Sequence, residues 1–117
     1  MIVSLNLDRK VYNKNEEIIA HIRTINISEE TINLDFSSGQ KYDLYIKDNG
    51  EEIWRWSEGK FFTMALDRVE IKPGKKLSYD INIPSEIELL PGSYTLSGEL
   101  STIKSPVQLN SVEFKIN

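Results

Sequence analysis

The sequence has no cysteine and one histidine, His21. Disulfides, thiolate nucleophiles, cysteine-bound metals and sites built on paired histidines are thereby excluded. It also has no basic excess: 14 Lys and Arg stand against 18 Asp and Glu, a net charge of -4 with pI near 5.0. Neither a nucleic acid nor an anionic membrane is expected as a partner, since either would be met by a basic face. No stretch approaches the roughly 20 apolar residues of a membrane helix. Ser4, Asn6 and Asp8 break up the apolar start before a signal-peptide core forms, so a cytoplasmic location is expected. What the chain does contain is a globular balance over 117 residues, 39% hydrophobic and 27% charged, which suits a single domain, 1–117, with one core.

Isoleucine is the commonest residue, at fifteen, and helical spacing is nearly absent. Apolar positions instead recur every second residue, the period of a strand with one buried face. Strands are expected at about 2–7, 17–26, 31–36, 41–47, 51–57, 62–71, 77–83, 93–100 and 112–116. In the second, Ile18, Ala20, Ile22 and Thr24 share one face and Ile19, His21, Arg23 and Ile25 the other. Pro73-Gly74 and Pro91-Gly92 mark turns. Ser85-Glu86-Ile87-Glu88 has the form of a capping box, so one short helical turn is expected there. Eight or nine strands, with turn signals about every 8–12 residues, predict an all-β, immunoglobulin-like antiparallel sandwich. Tyr94, following Leu-Pro-Gly-Ser, fits either a tyrosine corner or an ordinary buried aromatic. Asn26-Ile27-Ser28 is formally a glycosylation sequon, of a kind common by chance.

Asp48-Asn49-Gly50 is the strongest hairpin signal. A two-residue loop would set Asp48 against Glu51, two like charges. A three-residue loop with Gly50 as a left-handed bulge instead pairs Lys47 with Glu51, Asp43 with Arg55, Leu44 with Trp54 and Tyr42 with Trp56. The second register gathers Tyr42, Leu44, Ile46, Trp54 and Trp56 on one face and is the expected one. Asp43 and Arg55 are then expected as a solvated pair on the outer face.

Catalytic patterns are missing. His21 lies mid-strand in the run Ile18-Ile19-Ala20-His21-Ile22, with no glycine elbow around any serine, which makes it a strand-surface histidine rather than a catalytic base. Eighteen acidic residues make chance carboxylate pairs inevitable, and no calcium loop, phosphate-cradling glycine loop or His-Glu-x-x-His helix occurs. No enzymatic activity, metal or cofactor is expected. Tyr42, Tyr45, Trp54, Trp56, Phe61 and Phe62 fall within twenty-one residues. They serve either as core or as anchors of a binding surface, for a protein or a carbohydrate.

Phe36-Ser37-Ser38-Gly39-Gln40-Lys41-Tyr42-Asp43-Leu44, the Asp48-x-Gly50 turn, Trp54-Arg55-Trp56-Ser57, Phe61-Phe62-Thr63-Met64-Ala65 and Pro91-Gly92-Ser93-Tyr94 together resemble the BsuPI intracellular proteinase inhibitor family across nearly the whole chain. Thr63 departs from the pattern, where members often carry glutamine. The resemblance implies an immunoglobulin-like sandwich that inhibits an intracellular subtilisin-like serine proteinase, as a monomer or weak oligomer, and it supplies no reactive-site residue. An inhibitor of this kind must present a rigid segment that adds as a strand to the cleft. Ser57 to Leu66 is the favoured candidate, with Ser57, Lys60, Phe61, Phe62 and Met64 as contacts. For a subtilisin-like target, Phe61 and Met64 have the spacing of an S4 and S1 pair. The segment 84–91 offers Ile87 and Leu90, but Pro91 directly after Leu90 would block the bond. A non-inhibitory binding or assembly domain on the same fold is the alternative.

Overall fold

Ile18, Ala20, Ile22 and Thr24 are buried while Ile19, His21, Arg23 and Ile25 are only half-buried, so the alternation read from the sequence sets the inner face of this strand. The computed structural model describes residues 1–117. Its strands are β1 (Ile2–Leu7), β2 (Val11–Tyr12), β3 (Ile18–Ile25), β4 (Ile32–Phe36), β5 (Tyr42–Asp48), β6 (Glu51–Arg55), β7 (Asp67–Ile71), β8 (Lys76–Ile83), β9 (Gly92–Leu100), β10 (Val107–Gln108) and β11 (Val112–Ile116). One sheet runs β1-β3-β8. A second runs β2-β11-β9-β5-β6, with β10 also on β9, and β4 pairs with β7. A bridge from Phe36 to Thr102 ties β4 to the segment after β9.

The sheets close on one apolar cluster. Leu5, Ile22 and Ile81 from the first sheet, Leu44, Ile46, Leu96 and Phe114 from the second, and Leu34, Phe36 and Ile71 from the small pair all belong to it. The fold is an all-β sandwich with nine strands of five or more residues, as expected, plus the two dipeptide strands β2 and β10. Two residues carry no readable period, so no alternation could announce them. β2 lies parallel to β11, against the all-antiparallel expectation.

Three polar or backbone features fix the frame. Tyr94 is buried and its hydroxyl donates to the Leu90 carbonyl at 2.5 Å, so it is a tyrosine corner. Asn26 is fully buried: its Nδ2 donates to the Ile71 and Glu30 carbonyls at 2.7 and 2.8 Å, and its Oδ1 accepts from the Ser28 N–H and hydroxyl. The formal sequon is thus an interior tie between two turns. Gly98 stands opposite Leu44 in the β5–β9 ladder. A Cβ there would lie 2.7 Å from Leu44 Cδ2 and 2.8 Å from the Asp43 carbonyl oxygen, so only glycine lets the strands approach.

The hairpin register differs from the expected one. Asn49 and Gly50 both have positive φ, 50° and 82°, which makes a two-residue turn of type I′ with Asp48 opposite Glu51. Those like charges sit at an exposed tip where water screens them, and the twist-matched Asn-Gly turn outweighs their repulsion. The pairing then shifts: Lys47 faces Glu52 but Ile46 faces Trp54, leaving Ile53 as an extra, bulged residue. That bulge returns Trp54 to the face of Ile46. The tryptophans therefore face inward as expected, although by a different device.

Two further expectations are corrected. The strand expected from Phe62 begins only at Asp67, because Phe62 to Leu66 has no neighbouring strand to pair with. At 85–87 a short 3-10 turn forms, but Pro84 is its N-cap and no side chain caps it, so no capping box exists.

Candidate functional site

β6 ends at Arg55, and the backbone of Trp56 continues the ladder for one more bond, its N–H donating to the Leu44 carbonyl at 2.8 Å. The chain then turns through Ser57 to Gly59, closed by Glu58 N–H to Arg55 O at 3.2 Å and Lys60 N–H to Ser57 O at 3.1 Å. From Lys60 to Leu66 it runs with no turn, bend or strand partner. This segment is the most apolar exposed stretch of the surface: Phe61 is 99% exposed, Met64 86% and Leu66 81%.

Beneath it lies a row of four rings. Tyr79 and Tyr42 have centroids 5.1 Å apart, Tyr42 and Trp56 4.7 Å, and Trp56 and Phe62 5.7 Å. Tyr79 comes from β8 and Tyr42 from β5, so the row crosses from one main sheet to the other and ends on the loop. Lys60 Nζ lies 4.8 Å above the Trp56 ring, a cation–π contact on a partly solvated face. Burial pushes the Tyr42 and Tyr79 hydroxyls above their ordinary pKa. Trp54 and Trp56 are both half-buried against the core, and the Trp56 ring is flanked by Tyr42, Phe62 and Lys60. They do not form an open stacking platform. Phe62 packs on Trp56 while its neighbour Phe61 is free in solvent, so the two phenylalanines have opposite roles.

The Ser38-Gly39-Gln40 turn buttresses the loop. The Gly39 N–H donates to the Thr63 carbonyl at 2.7 Å. Gln40 N–H donates to Ser38 Oγ at 3.1 Å, and Gln40 Nε2 to the Tyr42 carbonyl at 3.1 Å. At position 63 it is the backbone that makes the tie, so the departure from glutamine leaves it intact. Past the loop, Lys41 Nζ pairs with Asp67 Oδ2 at 2.8 Å and holds that carboxyl below the usual carboxylate range.

Asp43 contradicts the expectation of a solvated pair. It does pair with Arg55, but it is 4% exposed. Its Oδ1 accepts from the Leu44 N–H at 3.0 Å and the Ser57 N–H at 3.1 Å, and its Oδ2 from Arg55 Nη1 at 3.0 Å and the Ser57 hydroxyl at 2.6 Å. Arg55 also donates from Nε and Nη2 to Glu52, at 3.2 and 2.6 Å, and lies over the Tyr45 ring. Glu52 first and Asp43 second raise its pKa. In the ladder Arg55 faces Tyr45, not Asp43, so the ion pair is diagonal. Glu52, Asp67 and Tyr79 take part without any motif to mark them, whereas Lys41 lies inside the Phe36–Leu44 stretch and Thr63 inside the Phe61–Ala65 stretch.

His21 Nδ1 lies 2.8 Å from Asp80 Oδ1, its cross-strand partner, and Arg23 shares the same carboxylate. It is a strand-surface histidine. No group of three or more His, Asp or Glu side chains is gathered to hold a metal ion, and no helix is long and apolar enough to cross a membrane.

The fold defines the class, an all-β sandwich domain, here with one braced and exposed apolar loop, and comparison with known proteins narrows it. The family described as BsuPI, intracellular proteinase inhibitor, matches residues 5–105. The chain belongs to this family. No curated protein matches it in sequence. Among solved structures, Spo0M, a sporulation control protein from Bacillus subtilis, superposes with a TM-score of 0.59 at 12% identity, over 98% of this chain and 48% of that one. The CARDB domain of a Pyrococcus furiosus protein, in complex with di-metal ions, gives 0.52 at 12% identity over 98% and 85%. A β-glucosidase from Listeria innocua in complex with glucose gives 0.55 at 13% identity over 99% of this chain, which spans only 16% of the enzyme. At these identities the likeness is one of fold.

Proposed function

We propose that this chain inhibits an intracellular subtilisin-like serine proteinase by inserting the segment Ser57–Leu66 into the enzyme cleft, without itself being an enzyme. The observation that carries this reading is the pairing of Phe61, 99% exposed, with Met64, 86% exposed, within residues 60–66, which are free of turns and bends. Within residues 61–66 the only backbone hydrogen bond is the one accepted by Thr63. Unpaired backbone on an unbent segment is what strand addition to a proteinase requires, and the ring row beneath limits the entropy lost on docking. Met64 then occupies S1 and Phe61 S4, Lys60 lies at the entry to the cleft, and Phe62 is turned back to its own ring row. Cytoplasmic location and a monomeric or weakly oligomeric state go with this reading, and the tyrosine corner supports an immunoglobulin-like description of the sandwich. The sugar-binding alternative is disfavoured because the Trp56 ring is occupied by Tyr42, Phe62 and Lys60.

Titrating purified protein into subtilisin, and into an intracellular serine proteinase of the source cell, tests the proposal. Stoichiometric loss of hydrolysis is expected. Full activity of every enzyme at excess protein would leave the non-inhibitory assembly or binding domain as the reading of the fold.

A further inference from the structure

We infer that Asp43 is the positioning residue that keeps the loop an inhibitor instead of a substrate, an inference that rests on the loop reading above. A peptide lying in a serine proteinase cleft is hydrolysed unless something opposes the departure of its halves. In such a cleft the enzyme's serine attacks the Met64 carbonyl, forming an ester to Met64 while the Met64–Ala65 bond breaks and the Ala65 amine leaves with the serine's proton. Water then cleaves the ester, leaving a carboxylate on Met64 and restoring the serine hydroxyl. If both stubs stay in place, the Ala65 amine attacks the ester before water does, re-forming the peptide and restoring the serine hydroxyl, at an effective concentration set by how firmly the stubs are held.

The chain has separate ties on the two sides of this bond. On the C-terminal side, Asp67 pairs with Lys41 at 2.8 Å and β7 is laddered to β4 from Asp67 onward. On the N-terminal side the ties are Thr63 to Gly39, Phe62 to Trp56, and Ser57 to Asp43. Of these only the Asp43 site is both buried and charged. Its carboxylate has four acceptor positions and meets four donors, two of them from Ser57. Arg55, held on its other side by Glu52, keeps the negative charge compensated where water is excluded. An asparagine cannot repeat this pattern, because its NH2 would face at least one donor that needs an acceptor. The Ser57 hydroxyl supplies the shortest of the four bonds, 2.6 Å, and can be removed without disturbing the buried charge. Asp43 touches no substrate in this scheme and acts through Ser57.

The test uses the full chain with subtilisin, quenching aliquots in acid and measuring both residual hydrolysis and the fraction of inhibitor cut between Met64 and Ala65 by mass spectrometry. Wild-type protein is expected to inhibit durably and stay mostly intact. Ser57→Ala and Asp43→Asn are expected to be cut at that one bond at least tenfold faster than wild type, with activity returning as the cut form accumulates. Ser57→Thr, which keeps the hydroxyl, restores durable inhibition. If Asp43→Asn fails to fold, Ser57→Ala alone carries the test. A folded Ser57→Ala that is as durable and as intact as wild type overturns the role of Asp43 and leaves the loop reading standing. Wild-type protein that never inhibits, or is never protected from cutting at Met64, overturns the loop reading itself.

Discussion

Two surface segments of this sandwich offer exposed apolar residues after a strand, and they are built in opposite ways. Residues 61–66 run unbent, with one backbone tie at Thr63 and with Phe61, Met64 and Leu66 in solvent. Residues 84–91 curl into a 3-10 turn, place Glu88 in the left-handed region, pack Ile87 and Leu89 against the core, and lose the Leu90 carbonyl to the Tyr94 hydroxyl. Leu90 is still 69% exposed, so exposure alone does not separate the two. What separates them is the backbone: one segment has its main-chain groups free for an incoming strand, and the other has folded in on itself. A docking loop is made by bracing its ends and leaving its middle unpaired.

The comparison breaks most readily at Met64. Met64→Asp should weaken inhibition of subtilisin by roughly 100-fold, the scale of losing a central anchor, with an unchanged thermal midpoint because the side chain touches little of its own protein. Unchanged inhibition would remove Met64 from the interface. A smaller effect comes from alkali. Burial pushes the Tyr12 hydroxyl up to about 12, with its hydrogen bond to Asp8 adding to the shift, and burial raises Tyr42, Tyr79 and Tyr94 as well. The folded state therefore holds these protons more tightly than the unfolded chain. Stability is complete below the ordinary tyrosine pKa near 10 and should fall as pH rises toward 12, by about 2 kcal/mol for Tyr12 alone. Denaturant melts from pH 9 to 12, with Tyr12→Phe flattening the decline, check this. The smallest effects concern the second segment. Tyr94→Phe should cost about 1 kcal/mol by freeing the Leu90 carbonyl, and Leu90→Asp should change inhibition by less than about twofold. A large loss of inhibition from Leu90→Asp would reverse the assignment of the two loops.

Much of the fold was legible because alternation is a direct consequence of strand geometry. The inner face of β3 follows from period alone, whereas Tyr94 left a corner and an ordinary buried aromatic equally open, and the tryptophans face inward by a bulge that no period announces. The hairpin register departs from the expected one because Asp48 and Glu51 meet in water at an Asn-Gly turn, where facing like charges cost far less than in a buried ladder. Phe62, Met64 and Leu66 alternate as a strand's residues do, yet this stretch forms no strand. Period reports which way side chains point, and it is silent on whether a partner strand exists. The burial of Asp43 is not legible locally, because Ser57, which gives it two hydrogen bonds, comes from a turn fourteen residues on whose path no local pattern describes. Long-range closures such as Lys41 with Asp67 and Gly39 with Thr63 leave no trace in neighbouring residues, so the brace of the loop emerged only in three dimensions.

The surplus residue at Ile53 has a consequence for how this region tolerates change. It works as a slip joint: the tip of the arm is free to adopt an even or an odd connection, because the mismatch is absorbed two steps further down. Lengthening the tip by one residue while dropping Ile53 should leave the indoles on their present side. Excising Ile53 alone should likewise leave Lys47 opposite Glu52 and Ile46 opposite Trp54, in an unbroken ladder with the indoles on their present side. Removing a paired residue such as Arg55 would instead turn Trp56 to the opposite face and carry the segment behind it off its ring support.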